Sequence, residues 1–157
     1  MEESIRKQIA DAFGMGTTDP RKYSSLGLAY IGDGVYDLII RTLILEQGTG
    51  KVKQFHRIAS SIVKADAQKE LVCAIEDMLT EEEAAVFKRG RNAKSATSAK
   101  NASIGTYRVA TGFEALVGYL YLQDDMERIL QLVKEGLVRT RQMERLQGKG
   151  VSWENKN

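Results

Sequence analysis

Only one proline, Pro20, occurs in 157 residues, while apolar residues recur three and four apart over several long stretches. Proline is the strongest helix breaker, and that spacing gives a helix one apolar face, so the chain is expected to be all-α. Ile5, Ile9 and Ala12 or Phe13 mark a short amphipathic helix ended by Gly14-Met15-Gly16. Asp19-Pro20 has the form of a cap followed by proline at the first helical position, opening a segment to about Glu46 that Gln47-Gly48-Thr49-Gly50 closes. From about Val52 to Val72 one amphipathic helix is expected, with Phe55, Ile58, Ala59, Ile62 and Ala65 on its inner face, followed by a short helix through Ile75 to Met78. Thr80 and Glu83 form a capping-box pattern that launches a short helix toward Phe87. Lys88 to Ser95 reads as a loop or a helix end. Ser103 to Leu122 is apolar on nearly every side, as a central helix is. Asp124 or Asp125 can cap a last helix with Met126, Ile129, Leu130, Val133 and Leu137 inside.

The length suits one domain, expected over residues 19–147, with residues 1–18 as an extension and 148–157 as a disordered tail. With 43% hydrophobic and 28% charged residues the chain has the composition of a folded protein. Its one cysteine, Cys73, excludes an intrachain disulfide and a thiolate metal cluster, which fits a reducing compartment. The longest uncharged run, Tyr23 to Gly32, is ten residues, too short to span a bilayer, and the acidic N-terminus does not resemble a secretory signal. A cytoplasmic protein is expected.

The net charge of +2 hides a split. Between Ala84 and Phe113 there is no acid but six cations, Lys88, Arg89, Arg91, Lys94, Lys100 and Arg108. Taking these six from the 23 basic residues leaves 17 against 21 acidic ones, so a +6 segment sits on a −4 body. Such a split points to one face that meets a polyanion.

The two most apolar helical stretches each carry carboxylates. Asp33, Asp37 and Arg41 are the only charges between Tyr23 and Leu45 and lie four apart on one line; Glu114 is the only charge from Val109 to Gln123. A carboxylate in such surroundings needs a cation, hydrogen-bond donors or access to water. One reading is a solvated stripe with an ordinary Asp37–Arg41 ion pair. The other is a divalent cation held by carboxylates from two helices; with a single histidine, His56, and no cysteine cluster, the ligands would be oxygens and the cation Mg²⁺ or Mn²⁺. Beside a basic segment, that arrangement suits phosphodiester chemistry. Gly32, Gly34, Gly112 and Gly118 weaken helices and so suggest places where backbones approach closely.

Leu28-Ala29-Tyr30-Ile31-Gly32-Asp33-Gly34-Val35-Tyr36-Asp37 resembles the signature helix of the ribonuclease III family, and Phe113-Glu114-Ala115-Leu116-Val117-Gly118 resembles its second acidic segment. Lys88 to Ser95, and Thr106-Tyr107-Arg108 ahead of the Thr-Gly-Phe-Glu-Ala-Leu run, are similar to the Mini-ribonuclease III branch, which lacks a double-stranded-RNA-binding domain. The resemblance covers roughly Asp19 to Arg139. Two positions depart from full-length members: Ala29 and Thr111 stand where acids are expected.

This resemblance implies an all-α ribonuclease III-like endonuclease domain acting as a homodimer on double-stranded RNA. It implies catalytic and metal-binding roles for Asp33 and Glu114, a supporting acidic role for Asp37, and Mg²⁺ as cofactor with Mn²⁺ able to substitute. The signature helix would lie at the dimer interface and bury Tyr30. Cleavage would leave a 5′-phosphate and a 3′-hydroxyl on a precursor of the large ribosomal RNA. Recognition would rest on phosphates, 2′-hydroxyls and helix shape, with Lys88, Arg89, Arg91, Lys94, Lys100 and Arg108 touching the RNA. The two missing acids leave open a catalytically silent domain that only binds structured RNA.

Overall fold

A computed structural model describes residues 3–47, 50–94 and 103–147. Their regular structure is eight α-helices: α1 (Ile5–Ala12), α2 (Ser25–Gln47), α3 (Val52–Val63), α4 (Ala65–Ala74), α5 (Glu81–Asn92), α6 (Ile104–Leu122), α7 (Met126–Arg139) and α8 (Met143–Gln147). No strand occurs among the described residues, as the apolar spacing leads one to expect.

The sequence's most apolar stretch becomes the centre of the fold. Helix α6 is buried along nearly its whole length and packs against α2, α4, α5 and α7. Tyr36 of α2 meets Phe113 of α6 edge-on, with ring centroids 5.1 Å apart, and Ile40, Ile62, Leu71, Val72, Leu116 and Leu137 close the core around them. Helix α1 stands at the edge with only Ala10 buried, tied down by Arg6, whose guanidinium donates to the carbonyls of Thr18 and Leu122.

Several boundaries differ from the sequence expectation, each for a local reason. Asp19-Pro20 opens only a 3-10 turn (Pro20–Lys22), because Tyr23 is extended; the long helix starts afresh at Ser25, with Ser24 Oγ accepting from the Gly27 amide at 3.0 Å. The expected helix from Val52 to Val72 is two helices, since Lys64 takes an extended conformation (ψ 157°) between α3 and α4 while the apolar spacing runs on across the break. Residues Glu76–Met78 form a 3-10 turn rather than a helix. The basic run after Phe87 stays helical through Asn92. In α7, Leu130 is 45% exposed and Leu132 takes its place inside, on the stripe with Ile129, Val133 and Leu137. Asp125 caps α7 by accepting from the Arg128 amide, and Asp124 takes the left-handed turn before it. Helix α8 was not expected; it buries Met143 and Leu146.

The Thr80–Glu83 capping box is present, with Thr80 Oγ1 accepting from the Glu83 amide at 3.1 Å and Glu83 Oε1 accepting from the Thr80 amide at 3.0 Å. Glu83 also takes a fork of two hydrogen bonds from Arg128 of α7, each 2.9 Å. That guanidinium, whose Nη2 also donates to the Met78 carbonyl, holds the buried Glu83 below the usual carboxylate range.

Candidate active site at the α2–α6 seam

Helices α2 and α6 run backbone to backbone. A Cβ built on Gly32 would stand 1.7 Å from the carbonyl oxygen of Glu114, and one on Gly118 would stand 1.9 Å from that of Leu28. Only glycine permits this approach. Gly112 serves in the same way against Phe87 of α5, whereas Gly34 faces open space and departs from the expectation of a close contact within the chain.

The approach has a chemical result. Asp33 follows Gly32 and is exposed; Glu114, on α6, is half-buried, and the Asp33 carboxylate lies near enough to perturb it. Burial first, then the Asp33 carboxylate beside it, push Glu114 up to about 8 from an ordinary 4.5, while the Gln68 amide favours its charged form. Near neutrality, in the absence of a cation, Glu114 therefore keeps its proton.

A divalent cation suits this pair. It would relieve the repulsion that keeps Glu114 protonated, and two carboxylate oxygens with water completing the shell fit Mg²⁺. Among the described residues no group of three or more His, Cys, Asp or Glu side chains is placed to hold a metal ion. Ala29 is packed with Val86, Ala115 and Tyr119, and the Thr111 hydroxyl donates to the Tyr107 carbonyl at 3.0 Å; neither adds a ligand.

Asp37, one turn beyond Asp33, forms an ion pair with Arg41, its Oδ2 2.7 Å from Nε. The stripe on α2 thus divides: Asp37 behaves as the solvated-stripe reading expects, and Asp33 meets the second helix. His56 is exposed at a cleft of about 240 Å³ between α2 and α3, beside Arg41 and Leu45.

Gln68, which sequence reasoning did not single out, is the third polar side chain here. It is 3% exposed, its Nε2 donates to the Val63 carbonyl at 2.7 Å, and its Oε1 has no partner among the described residues. Its signal was available: a polar residue between the buried Ala67 and Leu71, the same anomaly that marks Glu114.

The basic residues lie on or just beyond α5 and on α6. Lys88 and Arg89 are exposed on the last turns of α5, Lys94 just beyond it, and Arg108 on the first turns of α6. Arg91 is half-buried, its guanidinium 5.7 Å from the centre of the Phe87 ring. None of these five forms an ion pair with a carboxylate among the described residues. Lys100 lies outside the described residues, as does the segment 148–157. Lys88, Arg89 and Asn92 line a cleft of about 670 Å³ with Ser24, Ser25 and Leu26 at the start of α2. Asp33 is eight residues past Ser25, about 12 Å along the same helix.

Comparison with known proteins identifies the family. A family model described as ribonuclease III domain matches residues 26–125. The chain is 50% identical to a Mini-ribonuclease 3 of Clostridium tetani over 117 residues, 74% of this chain and 78% of that one. It is 49% identical to a Mini-ribonuclease 3 of Enterococcus faecalis, covering 73% and 89%. The crystal structure of protein FN1578 from Fusobacterium nucleatum superimposes with a TM-score of 0.70 at 30% identity, covering 75% of this chain and 96% of that one. No described helix is long and apolar enough to cross a membrane. With its all-α fold and these relatives, the chain belongs to the ribonuclease III family, in the Mini-ribonuclease 3 branch, and is an endoribonuclease.

Proposed function

We propose that the chain is a cytoplasmic homodimer that cuts double-stranded RNA with Mg²⁺, for which Mn²⁺ can substitute, and that its substrate is the precursor of the large (23S) ribosomal RNA. The observation that carries the catalytic reading is the close approach of Gly32 to the Glu114 backbone, which brings the Asp33 carboxylate near Glu114, a group pushed up to about 8 by burial and by Asp33. Asp33 and Glu114 are the residues that hold the cation, which supplies activation of water and neutralisation of charge at the phosphate. Glu114 gives up its proton to do so. Asp37 supports the centre from one turn away, fixed by Arg41.

Lys88, Arg89, Arg91, Lys94, Lys100 and Arg108 hold the RNA backbone. The base edges of A-form RNA are hidden in a deep groove, so phosphate and sugar contacts dominate, and the five described cations, which form no ion pair among the described residues, are suited to them. Leu26, in the cleft lined by Lys88 and Arg89, stands about two helical turns before Asp33 on the same face of α2, which supports one strand running from the basic face to the acidic pair. The products carry a 5′-phosphate and a 3′-hydroxyl.

The homodimer reading is supported by α2. Tyr30 is 84% exposed and Leu38 58%, with Gly34 between them at helical spacing and nothing within 4 Å of its would-be Cβ. A second copy covering this face would bury the tyrosine and occupy the room beside the glycine.

The deciding experiment is cleavage of double-stranded RNA with Mg²⁺ by the wild type, Asp33→Asn and Glu114→Gln. The wild type is expected to cut and each variant to lose about a thousandfold or more in rate, with RNA binding kept. RNA binding without cleavage by the wild type, across Mg²⁺ and Mn²⁺ concentrations, would establish the silent binding domain instead.

A further inference from the structure

Three buried side-chain oxygens lack a partner among the described residues: Tyr36 Oη, Gln142 Oε1 and Gln68 Oε1. Tyr36 sits in the apolar core against Phe113, and Gln142 joins α8 to the Ala67 carbonyl. Gln68 is buried on α4, which packs against α6, and of the three it alone bears on the acidic pair, favouring the charged form of Glu114.

The amide of Gln68 is held in one orientation. Val63 is the last residue of α3, and the break at Lys64 interrupts the helix there; the Gln68 Nε2 donates to the Val63 carbonyl. Turning the amide over would set Oε1 against that carbonyl, two acceptors face to face. The amide also favours the charged form of Glu114, as an N–H donor does. The oxygen is thus committed to a buried position without a donor, a state that folded interiors rarely leave unrelieved.

We propose that Gln68 is a positioning residue of the acidic centre: its N–H side orients the Glu114 carboxylate, and its Oε1 accepts a hydrogen bond from a water in the hydration shell of the cation held by Asp33 and Glu114. The inference rests on the reading of that pair as the cation site. Mg²⁺ held by two carboxylates keeps several waters, and these are the donors that the buried oxygen lacks. Groups that orient ligands in this way commonly change metal affinity by ten- to a hundredfold when removed. The centre has few other supports, since Ala29 and Thr111 contribute no carboxylate.

The test measures Mn²⁺ binding without RNA, by the decrease of the free-ion resonance, together with melting in EDTA and in Mg²⁺. The proteins are the wild type, Gln68→Met, Gln68→Glu and Asp33→Asn. Gln68→Met is expected to bind Mn²⁺ about ten- to a hundredfold more weakly while melting in EDTA within a few degrees of the wild type. Gln68→Glu places a third carboxylate beside the pair; it is expected to melt lower in EDTA and to gain more from Mg²⁺ than the wild type does. Wild-type Mn²⁺ affinity in Gln68→Met, or an unchanged gain from Mg²⁺ in Gln68→Glu, would overturn the role of Gln68. Should Gln68→Met fail to fold, the Mg²⁺ gain of Gln68→Glu decides alone. Asp33→Asn separates the two levels: if the wild type binds Mn²⁺ no better than Asp33→Asn, the cation site itself falls and Gln68 with it. Asp33-dependent binding that is indifferent to Gln68 removes only the present inference.

Discussion

Gly32 has no room for a side chain because the carbonyl oxygen of Glu114 occupies the space where its Cβ would be. Gly32→Ala should therefore force α2 and α6 apart, costing about 3 kcal/mol or more and separating Asp33 from its partner. Gly105→Ala, in the first turn of α6 with nothing within 4 Å, should be neutral or mildly stabilising. Urea denaturation of the two variants compares them directly, and equal costs would contradict the seam.

The raised Glu114 gives the metal-free protein a definite pH dependence. Between the unfolded value near 4.5 and the folded value of about 8, the native state binds the additional proton. Stability should then fall as pH rises through that window, by a few kcal/mol in all, and level off above it. Denaturation in EDTA at pH 5 and pH 8.5 measures the difference. Glu114→Gln should flatten the curve, and Mg²⁺ should restore stability at the alkaline end.

The Glu83–Arg128 pair links the start of α5 to α7 with both side chains largely out of water. Arg128→Ala leaves Glu83 buried with only the Thr80 amide as a donor, so a destabilisation of about 3 kcal/mol is expected. Arg128→Lys, which cannot supply the fork, should recover only part of it. A variant within about 0.5 kcal/mol of wild type in chemical denaturation would show the link to be superficial.

On the basic face, replacing Lys88, Arg89 and Lys94 together with alanine should lower the slope of log affinity against log salt by about one for each phosphate left without its cation, with little change in melting temperature. Arg91 is different, because its guanidinium lies over Phe87. Arg91→Ala should weaken binding and cost about 0.5–1 kcal/mol of stability as well. An unchanged salt slope in the triple variant would move the RNA elsewhere.

Tyr30 touches little within its own chain, so Tyr30→Asp should leave the fold intact and act only on assembly. Sedimentation should show a dimer for the wild type and a monomer for the variant. A wild type that sediments as a monomer and still cuts both strands would contradict the interface.

Much of the fold is legible from residue spacing. The central helix, the capping box at Thr80 and the glycines at 32, 112 and 118 all follow from short-range rules that act within one or two turns. The break at Lys64 is not legible, because apolar spacing continues through it and the chain turns only to fit α4 against α6. Leu130 misleads for a similar reason: a hydrophobic residue one position off the stripe looks like part of it. At the site, Asp33 and Glu114 stand out as charges in apolar stretches, but their proximity depends on two helices distant in sequence. Gln68 shows the same anomaly without a charge and so carries a weaker signal.

The glycine seam also constrains how such a chain can change over generations. A methyl group at position 32 or 118 would disturb the packing of the two central helices and the distance between the two acids in a single step. Selection for a folded protein and selection for a working one thus act on the same positions. A lineage that has abandoned the chemistry should show it first at Asp33 or Glu114, while its glycines persist as a record of the ancestral site.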